Sequence, residues 1–404
     1  MRSSKESKTP GTAATGRLFI ASDVRVRVSA DGRVFADHSS LSSRTLIRYV
    51  ATGMECILVA RSTQALTESD EPGGESLGIQ LHALRDEPKA RSMSRRAWNL
   101  GRDLMRVKVS RRDVVVVRLP ELVSSLLWFR ARLSGARVIA NVVASSDALV
   151  PILGRFGRAA RWPLRIVLRL MVRTSHGVVY VTRHALQAEY PARVPALSVS
   201  NVQLDEGAFA EGPRVYTDPA PGRVRLVAVG SQENLTKGHD LLIDALGILA
   251  RSGLDARLEL VGDGAHQQAL RARAAEAGMA DRVTFHGFVR EPRHVRTIID
   301  GCDYFVMPSR NEGLPRAMIE AMARGICCVG ADVGGIPELA PEDALFSPES
   351  ADAIATCLRR LLEAPEVATS ICAAEFHVAH EIFEGTDPKR FAAFVTEIRR
   401  GIGA

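Results

Sequence analysis

The chain has no apolar run near the roughly 18 residues that a membrane-spanning helix needs. Its first 16 residues are polar, with Lys5 and Lys8 but no apolar stretch behind them. Neither a membrane span nor a signal peptide is therefore expected, and residues 1–16 read as a disordered tail. The six cysteines (Cys56, Cys302, Cys327, Cys328, Cys357 and Cys372) show no Cys-x-x-Cys spacing and no histidine partners. That argues against a zinc site or a disulfide framework and suits a reducing cytoplasm. No Asp-x-Asp pair is placed to hold a metal. What remains is ordinary for a globular protein: 404 residues, 46% hydrophobic and 25% charged, enough for two or three domains.

Charge is unevenly spread. Residues 1–205 hold 32 Lys and Arg against 17 Asp and Glu, a balance of +15, whereas the whole chain carries only +7. Fold does not require such an asymmetry, which implies an acidic partner for the N-terminal half. Both halves alternate short apolar runs with helical patterns, the signature of parallel sheets with crossover helices. Strands are predicted near Arg17–Ala21, Cys56–Ala60, Gln80–Ala83, Asp113–Arg118, Arg137–Val143 and Gly177–Val181. A second set is predicted near Arg223–Val229, Ala256–Val261, Arg282–Phe285, Asp303–Met307 and Ile326–Val329. The Gly-, Pro- and acid-rich stretch 206–222 reads as a linker. It divides an N-terminal domain, 17–205, from a C-terminal one, 223–385. The remaining 386–404 forms a last helix, about Lys389–Ile402, free to cross back to the first domain.

The most informative residues are Glu312 and Glu320, within Pro308-Ser-Arg-Asn-Glu-Gly-Leu-Pro-Arg-Ala-Met-Ile-Glu-Ala-Met-Ala-Arg-Gly325. Pro315 suits the first position of a helix and Gly325 the residue after its end, so a helix over about Pro315–Arg324 is expected. Its unspent N–H groups, from Gly313 on, favour an anion, whereas a carboxylate accepts from hydroxyls. Amides for phosphate beside carboxylates for hydroxyls suggest a nucleotide sugar. Two glutamates near a helix start would otherwise be solvated charges complementing its dipole; the flanking residues decide.

Those flanks are Gly230-Ser231…Lys237-Gly238, then Val261-Gly-Asp-Gly264, Val283-Thr-Phe-His-Gly287, Pro308-Ser-x-x-Glu-Gly-x-Pro with Glu320-Ala321, and Gly334-Gly-Ile-Pro-Glu338. In this order, over about Val227–Leu339, they resemble the GT-B family of retaining nucleotide-sugar glycosyltransferases known as family 4, or glycosyl transferases group 1. The resemblance implies two Rossmann-like, doubly wound parallel-sheet domains facing a central cleft. It implies transfer of a hexosyl unit from a nucleoside-diphosphate sugar, of UDP or GDP type, without metal or other cofactor. Carried onto this sequence, Glu312 would meet the sugar hydroxyls, with the Gly313 and Leu314 amides near sugar and diphosphate. Glu320 would bind the ribose and Lys237 the diphosphate. Gly230, Ser231 and Gly262 would line the donor site, and the main chain at Val289 would meet the base. Many members carry Arg where Ser231 stands, so one phosphate-binding cation is missing at that position.

The first domain departs further, lacking a Gly-Gly loop after its first strand. Short stretches (Ala21–Phe35, Tyr180-Val-Thr182, Leu186–Pro191 and Ser200-Asn-Val202) look like polysaccharide-assembly members, which points to exopolysaccharide, capsule, cell-envelope or metabolite glycosylation. Glycan, lipid-linked and small-molecule acceptors all fit. For the acceptor-activating residue, Asp147, just past a predicted strand, is the leading position; Asp23 and Arg118 also follow strands, and loop or capping roles compete for all three. Arg158, Arg161, Arg165, Arg169 and Arg173 recur every three or four residues beside Trp162, Ile166 and Leu170, and a second basic cluster runs from Lys89 to Arg112. The arginine stripe reads either as a peripheral surface for anionic lipid on the inner face of a membrane or as the solvated side of a core-packed helix. Nucleic acid is the weaker reading, since no binding motif accompanies the charge. Two functional alternatives stand beside transfer: a nucleotide-sugar 2-epimerase, whose class lacks this Glu-Gly-x-Pro context, and a degenerate member that binds a nucleotide or partner without catalysis.

Overall fold

The computed structural model describes residues 16–28, 34–36, 43–62, 79–85, 93–150, 157–217 and 223–401. The tail assigned to 1–16 lies almost wholly outside them, as do Lys89, Arg155 and the last part of the linker. Among the described residues, fourteen strands form two sheets. The first contains β1 (Leu18–Val28), β2 (Val34–Ala36), β3 (Cys56–Ser62), β4 (Gln80–Arg85), β5 (Val114–Leu119), β6 (Arg137–Val142), β7 (Gly177–Tyr180) and β8 (Ala196–Ser198). Its order is β4-β3-β1-β5-β6-β7-β8, with β2 antiparallel on β1. The second contains β9 (Arg223–Val229), β10 (Asp255–Val261), β11 (Val283–Gly287), β12 (Tyr304–Met307), β13 (Cys327–Ala331) and β14 (Leu345–Phe346), in the order β11-β10-β9-β12-β13-β14. All its pairings are parallel. Two parallel, doubly wound sheets were the expected fold, and both are present.

The central strands are apolar runs because helices cover both faces. Val114 to Val117 are fully buried, as are Leu226, Val227, Phe305, Val306, Cys328 and Val329. All six cysteines are buried free thiols. Beneath β13 lies a carboxyl group in the same core: Glu375 is fully buried, accepts the Cys328 N–H at 2.8 Å, and is pushed well above the usual carboxylate range by that burial.

Two compact units divide the chain. One is Met1–Ala140 with Ser175–Gly177 and Pro388–Ala404; the other is Asn141–Thr174 with Val178–Asp387. In the first unit the last helix, Pro388–Arg400, sets Phe391 edge-on to Tyr49 with ring centroids 5.1 Å apart. In the second unit residues 206–217 follow a fixed course along the second sheet. Phe209 stacks on His380 at 4.0 Å. The Tyr216 hydroxyl accepts the Cys327 N–H at 2.9 Å and donates to the Asp303 carbonyl at 2.7 Å. Arg214 donates to the carbonyls of Asp300 and Cys302.

Candidate functional site

From β9 the chain winds outward through β10 and β11, then returns to β12 on the other side of β9. The order reverses between β9 and β12, and in an open parallel sheet the crevice at the carboxyl ends of such a pair receives the ligand. The segments that follow these two strands carry Lys237 and Glu312.

After β9, Asn234 Oδ1 accepts the Thr236 N–H at 2.9 Å and starts a 3-10 turn, Leu235–Lys237. Gly238 ends it at φ 67° and opens the helix His239–Arg251. A Cβ on Gly238 would lie 1.9 Å from the Pro308 carbonyl oxygen, so only glycine lets the two segments touch here. Arg310 fastens them: its N–H donates to the Thr236 carbonyl at 2.8 Å, and its guanidinium meets both Asp240 oxygens at 2.9 and 2.7 Å. With the loops so joined, Lys237 Nζ stands 2.6 Å from Glu312 Oε1. Ser309 Oγ donates to the same oxygen at 2.7 Å. The Glu312 side chain keeps only 9% of its exposure and Lys237 29%, so the carboxylate is enclosed while the ammonium still reaches solvent.

The Gly-Gly-Ile-Pro-Glu loop backs this pair. A Cβ on Gly334, at φ 57°, would meet the Glu312 carbonyl oxygen at 2.0 Å, and the Gly335 N–H donates to the Gly313 carbonyl at 2.8 Å. Glu338, quoted above without a role, accepts the N–H groups of Arg183, His184 and Ala185 at 2.5, 3.0 and 2.6 Å. The helix after Glu312 is Arg316–Ala323, starting one position after the expected Pro315, which is instead its N-cap residue at ψ 107°. Gly325 follows the helix end at φ 63°.

Glu320 is half-buried on that helix; burial raises its pKa, and the charges of Arg316 and Arg296 oppose the rise. Gly230 and Gly262 lie against each other at the ends of β9 and β10, where a Cβ on Gly262 would meet the Gly230 carbonyl oxygen at 1.9 Å. Ser231 Oγ accepts the Glu233 N–H at 3.2 Å, a local turn bond. Val289 and Leu314 are half-buried against the second core, and Gly313 comes so close to the end of β6 that a Cβ would lie 2.1 Å from the Val143 carbonyl oxygen. Lys237 and Glu312 are thus in direct contact, with Gly230, Gly313 and Leu314 on the adjoining main chain.

Residues 223–364 match the family model described as Glycosyl transferases group 1. Protein CapJ of Staphylococcus aureus is 23% identical over 61% of this chain and 62% of its own length, so the chain spans about three fifths of that relative. The 2-deoxystreptamine glucosyltransferase of Streptomyces kanamyceticus is 28% identical over 64% of this chain and 71% of its own. Among solved structures, sucrose-phosphate synthase from Thermosynechococcus elongatus superposes with a TM-score of 0.69 at 17% identity, covering 96% of this chain and 99% of its own. HepE of Anabaena, solved with UDP-glucose, gives 0.65 at 15% identity, covering 94% and 99%. The fold is GT-B.

Three further positions of this GT-B chain were singled out for the acceptor. Asp147 is held by Arg161, Nε at 2.7 Å from Oδ1 and Nη2 at 2.5 Å from Oδ2. Asp23 accepts the N–H groups of Leu122 and Val123 at 2.8 and 2.7 Å, capping the helix Leu122–Leu133. Arg118 pairs with Glu121 at 3.1 Å. Asp23 and Arg118 therefore do structural work within the first unit, while Asp147 sits in the unit that holds Lys237 and Glu312, with its carboxylate engaged by a guanidinium.

Sequence reasoning passed over His239, which follows Gly238 and is 3% exposed. Burial, then the nearby Lys237 charge, lowers its pKa to about 4, so the imidazole beside the ammonium is neutral at pH 7. Because the folded value lies below the unfolded 6.5, stability from this group is present above pH 6.5 and is lost as pH falls toward 4. The full difference is about 3 kcal/mol. His176, held near 4 by burial and by Arg132 and Arg137, has the same sign. Melting temperatures measured from pH 7 to pH 4.5 should therefore fall, and His239→Gln should flatten that fall; an unchanged slope would mean that His239 does not titrate in this window.

Proposed function

We propose that the protein is a retaining glycosyltransferase that moves a hexosyl unit from a nucleoside-diphosphate sugar to an acceptor hydroxyl. The observation that carries this reading is the contact of Lys237 with Glu312 at the β9/β12 reversal, backed by Gly238, Ser309 and Gly334. Lys237 supplies the positive charge that a leaving diphosphate needs, and Glu312 accepts from sugar hydroxyls. The first N–H groups of the helix Arg316–Ala323 add to the positive side of the site. Glu320, along the same helix, takes the ribose, and the main chain at Val289 takes the base.

In this mechanism the bond between sugar C1 and the diphosphate oxygen breaks through an oxocarbenium-like state, and its electron pair leaves with the diphosphate. The acceptor oxygen bonds to C1 on the same face and passes its proton to the departing phosphate oxygen, so no protein nucleophile is required. Preorganised charge at Lys237 is worth most as that negative charge grows. Because Lys237 fills the cationic role, we read the reaction as metal-independent. UDP-glucose in HepE supports a UDP-type donor, with GDP the other candidate. Glycan, lipid-linked and small-molecule acceptors all fit a polysaccharide, envelope or metabolite pathway in the cytoplasm. Asp147 is our candidate for orienting the acceptor, once Arg161 yields it.

The test is release of nucleoside diphosphate from UDP-, GDP- and ADP-sugars, with and without chelator. We expect turnover with one base and no loss on chelation. Absence of release and of binding for all three would end this reading.

A further inference from the structure

The helix Gly157–Thr174 turns its apolar residues the wrong way for a core. Trp162 is 68% exposed, Ile166 61%, Leu170 59% and Val167 43%, while only its opposite side, with Leu168, Met171 and Val172, is buried. At 3.6 residues per turn, positions 162, 166 and 170 form one continuous strip with Val167 at its edge. Arg165 and Arg169 lie along one flank of that strip, and the exposed Arg173 continues it by one turn. The helix contains five arginines and no carboxylate. Three of them have partners outside it: Arg161 pairs with Asp147, Arg165 with Glu189 at 3.5 Å, and Arg169 Nε donates to the Glu189 carbonyl at 2.9 Å. Across residues 150–204 the sequence holds eight arginines and Glu189 as the single carboxylate.

We propose that this face docks on an anionic lipid surface, with Trp162, Ile166 and Leu170 entering the headgroup region and the arginines meeting lipid phosphates. A solvated helix side would carry polar residues at 162, 166 and 170, not three large apolar ones. A core-packed helix would bury them. An apolar strip flanked by arginine and free of carboxylates is the pattern of a helix lying in a membrane interface. Charge complementarity selects lipid over a second copy, since two such faces would set arginines against arginines. The docking stands apart from the donor site, and its test uses no donor, so its failure and that of the transfer reading are distinguishable.

The experiment is co-sedimentation of the full chain with vesicles of phosphatidylcholine alone and of phosphatidylcholine with phosphatidylglycerol, at low salt. Binding is expected to the anionic vesicles, with a blue shift of tryptophan emission that Trp162→Phe removes. It should weaken in about 1 M salt, where charges are screened within about 3 Å. Ile166→Glu with Leu170→Glu should lower partitioning by about tenfold or more with unchanged circular dichroism. Arg173→Glu, a second and milder variant, should weaken it at low salt. Equal partitioning of the wild type on neutral and anionic vesicles would overturn the proposal, as would a double variant that binds like the wild type. A wild-type dimer that the double variant splits, without vesicle binding, would assign the face to a second copy instead.

Discussion

Replacing Glu312 with alanine should lower donor-dependent release of nucleoside diphosphate by about a hundred- to a thousandfold, the range found when one preorganised polar group is removed from a transition-state site. Glu312 is held from two sides, by Ser309 Oγ at 2.7 Å and Lys237 Nζ at 2.6 Å, and its main chain is pressed by Gly334. Its orientation is set before any ligand arrives, which is the condition for an electrostatic contribution that needs no reorganisation. Alanine removes both the acceptor for sugar hydroxyls and the anchor that aims Lys237. The fall should therefore appear in kcat as well as in donor affinity. Near-normal release by a folded Glu312→Ala protein would remove this carboxylate from the reaction.

Lys237→Ala should cost about a hundredfold or more in the same assay and also weaken the fold. The two effects have separate origins. The first is loss of the cation that faces the departing diphosphate, with Ser231 nearby engaged in a turn and unable to replace it. The second is that Glu312, only 9% exposed, loses its cationic partner. Breaking a wholly buried pair costs several kcal/mol; with Lys237 still reaching solvent, about 1–3 kcal/mol is the reasonable scale. In the double variant Lys237→Ala/Glu312→Ala, stability should recover part of that loss because no lone carboxylate remains. A thermal-melt cycle over the four proteins reads this coupling. If the losses simply add, the pair contributes nothing as a pair, and Lys237 belongs to the solvent rather than to Glu312.

The parts of the fold legible in the sequence were those with a strong period. Arg223–Val229 is read at its observed bounds because Leu226 to Val229 form the unbroken apolar run of a strand covered on both faces, preceded by Arg223 and Arg225 alternating with the buried Val224. Leu345–Phe346 and Ala196–Ser198 were not read, since two or three residues at a sheet edge carry no period. The helix Arg316–Ala323 was placed within a residue at each end by Pro315 and Gly325. In the site, Lys237 and Glu312 were found through the motifs that surround them, although 75 residues separate them. Their partners were not. Arg310 on Asp240 and Glu338 on the amides of 183–185 are side-chain bonds between distant segments, which leave no local pattern, and Ser309 reaches Glu312, three residues on, only through the course of their loop. The same holds for Asp147: its place after a strand is visible in sequence, but its guanidinium partner is visible only in space.

The course of residues 206–217 bears on how the chain can be divided. A fragment beginning at Arg223 would contain every strand of the second sheet and still be an incomplete object. It would shed the Phe209 ring that lies on His380, and it would strip the Tyr216 hydroxyl from the Cys327 amide and the Asp303 carbonyl. Two main-chain groups, one just before β12 and one at the start of β13, would stand bare, at about 1–3 kcal/mol each. The natural cut for an excised second half therefore falls before Asp205, upstream of the stretch 206–222 that composition marks as the join.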